Sequence, residues 1–252
     1  MRVLRLTLLN LILFCFILFC GCNKKIDIEI PASNESYEIV NKNLINRIDE
    51  QIEFNGKQTN VSILEYESYE REIKIDDLSI KIPAKFVGFT YEKVVAKDLD
   101  KDNIQELLVY FNSSGSAGCS GLIILKVKDN NIFEIPLPIY DDLLGLRADL
   151  SFKDNYEIIV NVIDYSKTLK LKLDKKVKTE LKKNGVVFSN DIPKGIDCAS
   201  IIKTEKNLNG EYIIKIYQRI WAPVHAQRIG DLVTEIKIDD GKSKIVDIYL
   251  LK

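Results

Sequence analysis

The chain has 252 residues, 46% of them hydrophobic, with 36 Lys and Arg against 37 Asp and Glu for a formal net charge of −1. That is enough for one large domain or two small ones with a buried core. The balanced charge, with no basic stripe standing out, argues against a nucleic-acid partner, and the single histidine argues against zinc sites built from His/Cys clusters.

Residues 1–21 read as a secretory signal and not as part of the fold. Arg2 and Arg5 make a basic start, Leu6 to Phe19 is apolar apart from Thr7 and Asn10, and the run ends at Phe19-Cys20-Gly21-Cys22. The apolar run is short for spanning ~30 Å of hydrocarbon. Gly21-Cys22 resembles a bacterial lipobox, which implies cleavage before Cys22, lipidation of its sulfur and a chain held on the membrane outside the cytoplasm. A polar stretch from Asn23 to about Ser33, with Lys24, Lys25 and Pro31, reads as a tether. Apolar residues at 37, 40, 44 and 48 have helical spacing and predict a short amphipathic helix over 36–48. Segment 22–56 is then the lipidated cysteine, tether and helix, and 57–252 a β-rich, repeat-like domain.

From about Lys57 the pattern turns to strands. Val61 to Tyr66 partly alternates, and Ile73-Lys74-Ile75 and Leu78 to Ile82 alternate around an Asp76-Asp77 turn. Phe86 to Ala96 is a further strand. It runs into Asp98-Leu99-Asp100-Lys101-Asp102-Asn103-Ile104-Gln105-Glu106, and the apolar run Leu107 to Phe111 follows at once. Acids fall at loop positions 1, 3, 5 and 9, with a turn-former at position 6. Hard cations such as Ca²⁺ take six to eight oxygen ligands, which a tight loop with acids at alternate positions can supply. Without a cation the like charges repel, so either a metal sits there or the loop stays open. The EF-hand pattern fails, because position 12 is Val109 and the flanks are strand-like. A loop whose last acid is at position 9 and which feeds a strand resembles the calcium loops of FG-GAP/VCBS-type, integrin-propeller-like repeats. That resemblance implies Ca²⁺ held by the side chains of Asp98, Asp100, Asp102 and Glu106 and by the Ile104 carbonyl. The family usually has Gly at position 6; here Asn103, the next best residue for positive φ, stands there.

The small-residue run Asn112 to Gly121 has neither the Lys-Ser/Thr of a P-loop nor a G-x-S-x-G elbow, and reads as a loop between strands 107–111 and 122–127. With Cys22 lipidated, Cys119 and Cys198 remain. Outside the cell they could pair, but nothing in the sequence fixes their distance, and they are read as two separate small buried residues. Lys153-Asp154-Asn155 before Glu157 to Val160, and Glu205 to Ile214, echo the acidic loop at about fifty-residue spacing, within the range of repeat architectures. The second echo is expected to keep the turn without the metal.

Tyr217 to Gly230 holds the only Trp and the only His. Arg219, Trp221, His225 and Arg228 could form an aromatic platform with guanidinium forks for an anion or a sugar; the alternative is a strand–loop–strand crossing anchored by Trp221. Asp239-Asp240-Gly241-Lys242 marks a closing hairpin. The fold expected is mainly β, made of antiparallel hairpin and meander repeats like an incomplete propeller, with a short N-terminal helix. No nucleophile context accompanies His225, so an enzyme is the weaker reading. The leading one is a membrane-anchored extracytoplasmic lipoprotein with a structural Ca²⁺ loop, acting as a binding or adhesion module for a protein or glycan. A surface hydrolase or accessory subunit, and a receptor for a small anion or sugar, are the alternatives.

Overall fold

A computed structural model describes residues 43–113, 118–139, 144–153, 156–185, 189–224 and 226–252, all within one compact unit, Asn41–Lys252. The unit is mainly β, in four antiparallel sheets, each built from strands consecutive in the chain. The first sheet is β1 (Leu44–Phe54), β2 (Lys57–Tyr66), β3 (Arg71–Ile75) and β4 (Leu78–Lys81). The second is β5 (Phe89–Lys97), β6 (Glu106–Ser113), β7 (Ser120–Lys128) and β8 (Asn131–Glu134). The third is β9 (Ala148–Lys153), β10 (Glu157–Val162) and β11 (Lys167–Lys172), followed by a helix, α1 (Lys175–Lys183). The fourth is β12 (Gly195–Lys206), β13 (Tyr212–Trp221), β14 (Arg228–Asp239) and β15 (Lys242–Leu251). Among the described residues no helix is long and apolar enough to cross a membrane.

Turn chemistry sets this succession of meanders. Asn55-Gly56, Asp129-Asn130 and Asp240-Gly241 all take positive φ at both central positions. They close two-residue hairpins in which Phe54 pairs with Lys57, Lys128 with Asn131 and Asp239 with Lys242. Such turns match the twist of the strands they join and favour Asn, Asp and Gly.

The second sheet is covered on both faces. Glu106 to Phe111 of β6 and Gly121 to Leu125 of β7 are all buried, so these strands read as continuous apolar runs with no alternation. One core joins the first and second sheets to Ile214, Ile216, Ile236 and Ile238 of the fourth. A second core packs the third sheet and Leu181 of α1 against Ile220, Leu232 and Ile248. On β13 the even-numbered side chains serve both cores, since alternate residues share a face. Between them buried Gln218 accepts from the Leu146 N–H (2.7 Å) and donates to the Leu146 carbonyl (3.0 Å).

Two expectations change here. Of the helix expected over 36–48, residues 36–42 lie outside the described residues, while Leu44 to Ile48 begin β1. Leu44 and Ile48 fit helical spacing, but asparagines weaken helix propensity, and the Asn55-Gly56 turn pairs Leu44 and Asn46 to Ile48 with β2. Second, Cys119 and Cys198 are not separate residues but a disulfide, with Cα atoms 5.6 Å apart. The contact that makes it is not readable from sequence, because β7 packs beside β12 only once the sheets have stacked. The Ser120 hydroxyl donates to the Ser200 carbonyl (3.1 Å) and Tyr110 meets Thr204 (2.8 Å) along the same seam.

The disulfide closes a loop of 79 residues, which by chain entropy is worth roughly 4–5 kcal/mol. Replacing both cysteines by alanine is expected to lower the urea midpoint by a corresponding amount, and adding reductant to do the same to the parent protein. Coincident urea curves for reduced and oxidised protein would contradict that role.

Candidate metal centre

The acidic loop leaves β5 at Asp98 and enters β6 at Glu106. Its form follows from short polar side chains bonding to nearby backbone, as in Asx turns. Asp98 accepts from the Asn103 N–H (3.2 Å), Asp102 from the Ile104 N–H (2.8 Å), and Glu106 reaches back to the Leu99 N–H (2.9 Å). Lys101 and Asn103 take positive φ, as the turn-former at position 6 leads one to expect.

Carboxylate oxygens of Asp98, Asp100 and Glu106 lie within 4.8 Å of one another. The Asp100 and Glu106 side chains are 2% and 0% exposed. The loop is closed around a positive charge of the chain itself and is not open. The ammonium of Lys126 stands among the acids, 2.9 Å from Asp100, 2.7 Å from Asp102 and 2.9 Å from Glu106. Lys126 lies on β7 directly across from Glu106. Burial alone would lower the Lys126 pKa, but the three carboxylates outweigh it and raise it. Hydrogen bonding to Lys126 holds Asp102 below its ordinary value. Burial pushes Glu106 up, against the pull of the Leu99 N–H and Lys126.

Three hairpin turns converge on the loop. Asn55 and Gln105 bond reciprocally, each backbone N–H to the other side chain at 2.7 Å. The Gly241 N–H donates to Asp100 (3.1 Å). Lys101 approaches Glu211 of the β12–β13 turn at 3.9 Å, and Lys97 stands over the Tyr212 ring at 4.7 Å. That turn is the second echo. Asn207 caps it by accepting from the Asn209 and Glu211 N–H groups, each at 2.9 Å, and Gly210 takes positive φ. Of the first echo, Asp154 and Asn155 lie outside the described residues, and β9 and β10 flank them as a hairpin.

The residues fit a hard cation in part. The donors are all oxygen, as Ca²⁺ requires. Among the described residues, buried Asp98 Oδ1 has no hydrogen-bond partner, and Glu106 Oε1 meets the Lys126 ammonium at 2.9 Å. Asp102 stands outside the triad, engaged by Ile104 and Lys126, and Ile104 takes part through its N–H to Asp102. Lys126 offsets negative charge that a divalent ion would otherwise neutralise. Sequence reading missed it because it is twenty residues from Glu106. The signal was there, as a lone lysine ending the apolar run Leu122 to Leu125.

The second candidate patch comes together only in part. Arg219 and Trp221 share a face of β13, and Trp221 pairs in register with Arg228. Both guanidinium groups are already engaged, Arg219 with Asp197 at 2.6 Å and Arg228 with Asp231. The Trp221 ring lies so close over Gly195 that a Cβ there would overlap it. Both arginines are thus committed within the chain; His225 lies outside the described residues. Cys22 likewise lies outside them. No protein-family model, no curated protein and no solved structure matches the chain.

Lys126→Met would leave the buried Asp100 and Glu106 uncompensated, which costs roughly 3–5 kcal/mol when one partner of a buried pair is removed. Urea denaturation of the variant at neutral pH in chelator is expected to show that loss. An unchanged midpoint would mean the ammonium is dispensable.

Proposed function

We propose that the chain is an exported, membrane-anchored binding module whose sheets are held at one corner by a structural cation site for Ca²⁺. The observation that carries the metal reading is the Asp98–Asp100–Glu106 triad, with one buried oxygen of Asp98 uncommitted. Asp98, Asp100 and Glu106 would hold the ion, with Lys126 moving out of their way. A bound ion would supply positive charge that fixes the β5–β6 loop and, through Asn55, Gly241 and Glu211, the turns around it. Nothing in that arrangement polarises a substrate, so the site is read as structural and the module as a binder of a protein or glycan.

Export and anchoring rest on Arg2, Arg5, the apolar run to Phe19 and the lipobox-like Gly21-Cys22. The Cys119–Cys198 disulfide supports the same location, since disulfides persist in oxidising compartments. Receptor and hydrolase readings gain less support, because Arg219 and Arg228 are paired within the chain.

Extracellular calcium modules bind at roughly 10⁻⁴–10⁻³ M. At about ten times Kd, binding linkage adds about 1.4 kcal/mol, or about 3–5 °C in Tm for a domain of this size. Thermal melts in about 10 mM Ca²⁺ and in chelator are expected to differ by that much. Asp98→Asn keeps the acceptor for Asn103 but weakens the ligand, and is expected to remove at least half of the rise. Identical melts with and without Ca²⁺ would sink the metal reading.

A further inference from the structure

The net charge of −1 hides a strong local asymmetry. Between Lys167 and Lys183 stand eight lysines against Asp174 and Glu180, a net charge of +6 on one short segment. The expectation that no basic stripe stands out is corrected here, because the stripe is offset by acids elsewhere in the chain. Structure places the segment along the edge of the third sheet, as β11 and then α1. The register turns Leu169 and Leu171 toward the second core and Lys170 and Lys172 to solvent. On α1, Val177 and Leu181 pack inward, which leaves Lys175, Lys176, Lys182 and Lys183 exposed. None of these six lysines pairs with a carboxylate among the described residues, whereas Lys126, Lys215 and Lys237 all do. At the far end of β11, the turn Ile163–Tyr165 exposes an isoleucine and a tyrosine.

We propose that this lysine-rich edge of the third sheet docks on an anionic phospholipid surface. Ammonium groups with no carboxylate partner, including Lys182, which stands over the Tyr156 ring at 5.5 Å, gain on the order of 1 kcal/mol each beside acidic headgroups. Exposed Ile163 and Tyr165 suit the interface, where aromatic and apolar side chains insert beside basic ones. A soluble polyanion would use the lysines and give those two residues nothing to enter. The inference is strengthened by the anchoring reading and rests on it in one respect. Lipid on Cys22 would keep Asn43, twenty-one residues on, within about 70 Å of the bilayer even at full extension, and so raise the effective concentration of the edge at the membrane.

The test is lysine acetylation of the full chain, read by mass spectrometry, in phosphatidylcholine vesicles with and without phosphatidylglycerol. The anionic lipid is expected to slow labelling of Lys170, Lys172, Lys175, Lys176, Lys182 and Lys183 roughly threefold or more, and about 0.5 M NaCl to restore it. Exposed Lys57 and Lys128, on other sheets, are expected to label alike in both. Equal labelling of the edge in the two vesicles overturns the proposal. Equal protection by dextran sulfate over phosphatidylcholine assigns the edge to a polymer and overturns it too. The triple variant Lys175→Gln, Lys176→Gln, Lys182→Gln is expected to lose the protection at Lys170 and Lys172, and its retention counts against the proposal. Intact mass reports acylation of Cys22 in the same sample. An unlipidated chain that still shows the lipid-dependent protection refutes the anchor and supports the surface.

Discussion

Burying charge at a corner of stacked sheets is the constraint on which the rest of this molecule depends. Glu106 opens β6, a strand covered on both faces, and its side chain is 0% exposed. Asp100 is buried almost as completely, and both carboxylates must be compensated where water cannot reach them. Lys126, directly across the ladder, supplies one positive charge to three acids. Each such contact is worth several kcal/mol before desolvation is subtracted. One ammonium among Asp98, Asp100, Asp102 and Glu106 still leaves more carboxylates than cations, an excess that the proposed divalent ion would reduce.

The corner also organises the sheets. The Asn55, Gly241 and Glu211 contacts reach it from three hairpin turns, two of them in the fourth sheet and one in the first. Charge compensation at the loop is therefore coupled to the placement of three of the four sheets. The Cys119–Cys198 disulfide fastens β12 near the opposite end of β7 from Lys126, so the seam between the second and fourth sheets is held covalently at one end and electrostatically at the other. The third sheet lies outside this arrangement. It meets the fourth through a separate core and through Gln218, and it carries the exposed lysines of β11 and α1.

Local chemistry in the sequence was the readable part. Asp240-Gly241, Asp76-Asp77 and Asp129-Asn130 end hairpins because short polar residues and glycine tolerate the backbone those turns require, and the acidic loop folds on its own Asx contacts. The strands of the second sheet were equally legible, since an uninterrupted apolar run has to be buried. Illegible features were those made by packing. Lys126 gains its role from cross-strand register, the disulfide from sheet stacking, the Asp197 partner of Arg219 from the neighbouring strand, and the Asp231 partner of Arg228 from within β14 itself. Spacing misled at Leu44 to Ile48, where Leu44 and Ile48 fitted the last turns of a helix but pairing with β2 decided the outcome. The lysine edge was present in plain sequence and was lost in whole-chain charge balance.

A loop with its own ammonium differs from one that depends wholly on metal. Lys126 compensates these acids from within the chain, so the proposed cation has to displace its ammonium. The most direct measurement is a crystal structure grown in calcium, with anomalous scattering used to locate the ion. An anomalous peak within 2.3–2.6 Å of oxygens of Asp98, Asp100 and Glu106, with the Lys126 ammonium displaced, is the expected result. An ammonium still held by Asp100, Asp102 and Glu106, with no peak beside Asp98, would contradict it.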